Sequence, residues 1–129
     1  MARVLVVEDD PDIRMLLDVR LRQMGHLVLA AESAEQALDL LAEKGPPELA
    51  VLDVLMPGTS GLELLTQLRA DPVHAALPAI FLSGRVEQDD IAAGRALGAT
   101  YLTKPVVMNA LGAAIERALR PEPTAAGAW

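Results

Sequence analysis

The sequence predicts an α/β sandwich, a mainly parallel five-stranded sheet covered by helices on both faces. Three observations carry that prediction. Five short apolar runs are spread along 129 residues, residues of helical period separate them, and no internal repeat or interior linker interrupts the alternation. Right-handed crossovers place a helix between parallel neighbours, so the alternation covers both sides of the sheet.

The elements follow in order. RVLVV, residues 3–7, is the first run of strand length. Asp10 then suits a helix N-cap and Pro11 the first helical position, and Ile13, Leu16, Leu17 and Leu21 recur at helical spacing until Gly25. HLVLA, residues 26–30, is the second strand. SAEQ offers Ser33 and Gln36 as a capping box for a helix carrying Ala37, Leu38 and Leu41. LAVLD, residues 49–53, is the third strand, and SGLE opens the next helix with a second box from Ser60 to Glu63 and Leu62, Leu65 and Leu68 on one side. AIFLS, residues 79–83, is the fourth strand; a helix over about 87–97 ends at Gly98. TYLT, residues 100–103, is the fifth, and a last helix runs from about 105 to 119 with Leu111 and Ile115 facing inward. Residues 120–129, RPEPTAAGAW, carry two prolines among small residues, so one domain over 1–120 and an extended or disordered tail over 121–129 are expected.

Composition narrows the function. Hydrophobic residues make up 52% of the chain and charged residues 22%, enough for a sizeable core. Phe81, Tyr101 and Trp129 are the only aromatics, so surfaces for stacking bases or sugars are scarce. A net charge of -7 argues against direct nucleic-acid binding, which rests on Lys and Arg neutralising phosphates. The absence of cysteine removes disulfides, thiolate metal sites and thiol catalysis. No apolar run approaches the roughly 18 residues of a membrane span, and the acidic opening is unlike a signal peptide, so a cytoplasmic setting is expected. His26 begins a strand and His74 lies in a loop, so neither resembles a helix-borne phosphorylated histidine.

The polar residues at the strand ends set the chemistry. Glu8 and Asp9 follow the first strand, Asp53 ends the third, Ser83 ends the fourth and Lys104 follows the fifth. In open α/β sheets, ligands bind beyond these carboxyl ends, where the strand order reverses. Three carboxylates gathered there repel one another unless a cation offsets them. Oxygen ligands without nearby His or Cys suit Mg²⁺, whose shell is commonly completed by water and phosphate oxygens. Asp53 then fits the role of a nucleophile that accepts a phosphoryl group, with Ser83 and Lys104 binding its oxygens. Taken singly, each residue has an ordinary reading as a surface acid, turn serine or solvated lysine. Their joint occurrence at successive strand ends carries the signal. Asp10 and Asp12 fit a helix cap and a first-turn acid and stay outside the site.

Over residues 2–120, LVVEDDPDIR, LDVLMPGTSGLELL, AIFLSGR and LGATYLTKPV resemble the receiver domain of bacterial two-component response regulators, the CheY-like family. The resemblance implies a flavodoxin-like (βα)5 fold with strand order 2-1-3-4-5. It implies Asp53 as phosphoacceptor. Asp9 and Asp53 become direct Mg²⁺ ligands, Glu8 acts mostly through water, and the Leu55 backbone carbonyl is a further ligand. Ser83 stands where the family has Thr or Ser, Lys104 matches its invariant lysine, Pro105 follows through a peptide that is usually cis, and Tyr101 occupies the aromatic switch position. The implied donor is a histidine kinase or a histidine phosphotransfer protein. The output is a protein target, bound through the surface of the 87–97 helix, the fifth strand and the last helix. Such a protein is a signalling switch that promotes only its own phosphorylation and dephosphorylation. The resemblance also allows a homodimer through the surface of the 87–97 helix, which nothing in the sequence selects.

Two departures bear on this resemblance. Ser83 lacks the methyl of the commoner Thr, and Leu55 and Arg85 occupy positions that tune how long the aspartyl phosphate survives. Two other readings fit less well. A haloacid dehalogenase-type phosphatase expects a second Asp two positions beyond the nucleophile, where this chain has Leu55. A phosphorylation-independent pseudo-receiver would usually have lost part of the acidic and lysine set. The residues after the last helix are too few for an output domain, so the chain is read as a stand-alone regulator or a receiver cut from a longer protein.

Overall fold

Side chains along a strand point alternately to opposite faces, so four buried apolar residues in a row need a layer of structure on both sides. The computed structural model supplies these layers; it describes residues 2–54, 56, 58–84 and 99–119. The elements are β1 (Arg3–Val7), α1 (Pro11–Gln23), β2 (Leu27–Ala31), α2 (Ala34–Lys44), β3 (Leu49–Asp53), α3 (Gly61–Ala70), a 3₁₀ turn (Pro72–His74), β4 (Ala79–Ser83), β5 (Thr100–Thr103) and α4 (Met108–Leu119). All strand pairs are parallel and the order is β2-β1-β3-β4-β5, as the resemblance implied. The helix expected over 87–97 and the tail lie outside the described residues.

The two faces have separate cores. On one, Leu5, Val7, Leu52 and Phe81 pack with Leu41 of α2 and Leu64 and Leu68 of α3. On the other, Val4, Val6, Val51 and Ile80 pack with Leu17 and Leu21 of α1 and Leu111 and Ile115 of α4. Each fully buried leucine or isoleucine contributes about 1.5–3 kcal/mol relative to exposure. β3 and β4 are buried along their whole length. That burial places the transition to polar residues at the strand ends.

Local chemistry sets the helix boundaries. Asp10 is the N-cap of α1, its Oδ1 accepting from Asp12 N at 2.9 Å and Ile13 N at 3.3 Å, with Pro11 in the first turn. The expected boxes are incomplete. Ser33 Oγ accepts from Gln36 N at 3.1 Å, but Gln36 Oε1 returns to Glu32 N at 2.7 Å, one residue earlier than a box requires. Ser60 Oγ accepts from Glu63 N at 3.1 Å, and Glu63 answers through a side-chain contact at 3.3 Å. β2 begins one residue later than expected because His26 N bonds Leu21 O at 3.1 Å and closes the turn. α4 begins three residues late, its first backbone bond running from Leu111 N to Val107 O at 3.0 Å.

Candidate phosphoacceptor and metal site

The sheet ladder continues just past the strands and carries the polar residues to one edge. Glu8 N bonds Ala31 O at 3.0 Å, Val54 N bonds Leu82 O at 3.0 Å and Lys104 N bonds Ser83 O at 2.8 Å. Asp53 pairs with Leu82, so Ser83 stands one step beyond it on the neighbouring strand. Glu8, Asp53 and Ser83 are buried, at 1%, 4% and 1% exposure, and they are the buried polar side chains among the described residues. Asp9 is exposed at the rim.

Glu8, Asp9 and Asp53 each present a carboxylate oxygen within 4.8 Å of the others. Lys104 reaches into this group, its Nζ 2.7 Å from Glu8 Oε1 and 3.4 Å from Asp53 Oδ2. Burial pushes the Asp53 carboxyl up to about 7; hydrogen bonding to Glu8 and Asp9 and repulsion from Glu8 add to the rise, and Lys104 opposes it. Burial acts upward on Asp9 too, but its hydrogen bonds with Asp53 and Glu8 prevail and hold it below the ordinary carboxylate value. Burial works against the Lys104 charge, yet contact with Glu8 and Asp53 raises its pKa overall. Three acids share one lysine, and the repulsion left over is one reason why the Asp53 carboxyl holds its proton to a higher pH than an ordinary carboxylate. A hard divalent cation would relieve it in another way, and an all-oxygen donor set fits such an ion.

The remaining predicted residues are distributed around this centre. Tyr101 lies on β5 opposite Phe81, their ring centroids 5.3 Å apart and tilted by 40°. The Lys104–Pro105 peptide is cis. Leu55 and Arg85 lie outside the described residues, so the Leu55 carbonyl and the lifetime positions have no structural account.

Sequence reasoning missed Gly61. It is the first residue of α3, where its N–H donates to Val54 O at 3.1 Å. A Cβ there would collide with the Asp53 carbonyl oxygen and lie 3.3 Å from Val54 Cα. Only glycine lets α3 come this close to the backbone that carries Asp53. The one available signal was a poor helix former directly after a cap serine.

An open parallel sheet with buried acids and a lysine at its carboxyl edge defines a class of signalling domain, and comparison with known proteins agrees. A family model described as the response regulator receiver domain matches residues 4–116. The phosphate regulon transcriptional regulatory protein PhoB of Pseudomonas aeruginosa is 36% identical over 118 residues, covering 91% of this chain and 51% of PhoB. Protein PilH of the same organism is 36% identical over 107 residues, covering 82% of this chain and 88% of PilH. Among solved structures, chemotaxis protein CheY4 of Vibrio cholerae superposes with a TM-score of 0.85 at 28% identity, covering 92% of this chain and 99% of that one. The chain belongs to the response regulator receiver domain family of two-component signalling. It spans about half the length of relatives such as PhoB. Among the described residues, no helix is long and apolar enough to cross a membrane.

Proposed function

We propose that this receiver accepts a phosphoryl group on Asp53 from a phosphohistidine of a histidine kinase or phosphotransfer protein. The observation that carries the reading is the meeting of three carboxylates within 4.8 Å, two of them paired with Lys104. Asp53 Oδ attacks phosphorus; the O–P bond forms as the P–N bond breaks, and that electron pair returns to the imidazole nitrogen. Lys104 and the Ser83 hydroxyl receive the phosphoryl oxygens, with Lys104 carrying the positive charge that transfer needs. Glu8, Asp9 and Asp53, with the Leu55 carbonyl, would hold Mg²⁺, which when bound offsets the acidic cluster and the phosphoryl charge. Phosphorylation then favours one of two pre-existing states by interacting more strongly with it, Ser83 and Tyr101 being the switch residues. The output is a protein contact on the surface containing β5 and α4, within a cytoplasmic unit spanning residues 1–120.

Beryllium fluoride with Mg²⁺ tests this directly. Amide NMR signals next to Asp53 and Ser83 should move in the wild type and stay fixed in Asp53→Ala. A wild-type spectrum unchanged by saturating reagent would contradict the reading.

A further inference from the structure

We propose that Arg14 is a positioning residue for the metal site, its guanidinium fixing the Glu8–Asp9 peptide and so the direction from which Asp9 joins the other carboxylates. This rests on the metal reading above. Arg14 is the fourth residue of α1, and a cation in a first turn opposes the helix dipole. Its side chain turns back, and Nη1 donates to the Glu8 carbonyl oxygen at 2.9 Å.

Glu8 is held at four points. Its N–H bonds Ala31 O at 3.0 Å, Oε1 pairs with Lys104 Nζ at 2.7 Å, and Oε2 accepts from Asp10 N at 3.2 Å. These three fix Glu8 itself. Among the described residues, the Arg14 bond is the one that reaches the carbonyl of the peptide leading into Asp9. Because a peptide is planar, fixing that carbonyl fixes the Asp9 N–H and limits where the Asp9 side chain leaves the backbone. Asp9 is the exposed member of the trio and needs this constraint most. Without it, ordering the peptide would oppose metal binding, as it does when a partner of a metal ligand is removed.

The test is a Mg²⁺ titration of wild type, Arg14→Met and Arg14→Gln, followed by calorimetry and by the metal-dependent rise in melting temperature, together with the labelling rate at saturating Mg²⁺. Both variants should need about tenfold more Mg²⁺ for half-saturation. Their labelling rate at saturation should match wild type. The shift should persist at about 0.5 M salt, where charges acting at a distance are screened. Half-saturation within about twofold of wild type, or a shift that disappears in high salt, would overturn the assignment. A wild type with no Mg²⁺ response would instead contradict the metal reading itself.

Discussion

The two edges of the sheet are built from the same strands and differ in what their turns contain. At the amino edge, connections close with backbone bonds and glycines of positive φ, Gly25 at 92° after α1 and Gly45 at 94° after α2; Gly58 at 79° does the same at the carboxyl edge, so the difference lies in the side chains. At the carboxyl edge, Glu8, Asp53 and Ser83 are buried side chains that must be matched. The amino edge is tuned for chain reversal. The carboxyl edge keeps acids whose mutual repulsion opposes folding, so its sequence answers to chemistry rather than to stability. Substitutions at the first edge should therefore change only stability, while those at the second should separate stability from activity.

The largest effect is expected at Lys104. Lys104→Met leaves Glu8 buried without its cation and should cost about 3 kcal/mol at pH 8. Urea unfolding in a metal chelator checks it, and a loss under about 0.5 kcal/mol would show that the pair is not structural. Gly61→Ala comes next, because its Cβ meets the Asp53 backbone rather than a movable side chain. It should cost about 2 kcal/mol and slow phosphorylation as well, since relief requires moving the residue that reacts.

Asp53→Asn should act in the opposite direction. Its carboxyl is raised from 3.8 to about 7 in the folded protein. Below 3.8 it is protonated in both states; between 3.8 and about 7 only the unfolded chain ionises, so stability falls as pH rises; above about 7 both are ionised. The depressed Asp9 carboxyl acts below the ordinary carboxylate range, outside this window. Metal-free Asp53→Asn should therefore lose the decline and gain about 1–2 kcal/mol at pH 8, a figure reduced for solvent screening. Melts at pH 5 and pH 8 would show it; equal pH slopes in the two proteins would contradict it. The smallest effect belongs to the amino edge. Gly25→Ala meets no atom within 4 Å, so only its backbone conformation is strained. It should cost about 1 kcal/mol and leave the labelling rate unchanged.

The same contrast explains what the sequence could reveal. β1, β3 and β4 were legible because each carries four buried apolar residues in succession, Val4–Val7, Leu49–Leu52 and Ala79–Leu82. Periodicity could not decide how the strands are ordered, and the order came from family resemblance. Boundaries shifted where a local bond intervened, as at His26 before β2. The polar strand ends marked the site, yet the pairing of Glu8 with Lys104 joins opposite parts of the chain and depends on topology. The Gly61 approach and the Arg14 bond were hidden because each involves a backbone atom, which a sequence pattern does not display.

Phosphoryl transfer to Asp53 is tested most directly by intact mass after brief incubation with Mg²⁺ and a small acyl-phosphate donor, on wild type and Asp53→Asn. Wild type should gain one phosphoryl group, and the gain should require Mg²⁺ and be absent from Asp53→Asn. Equal labelling of the two proteins, or none in a wild type that also fails to respond to beryllium fluoride, would contradict it.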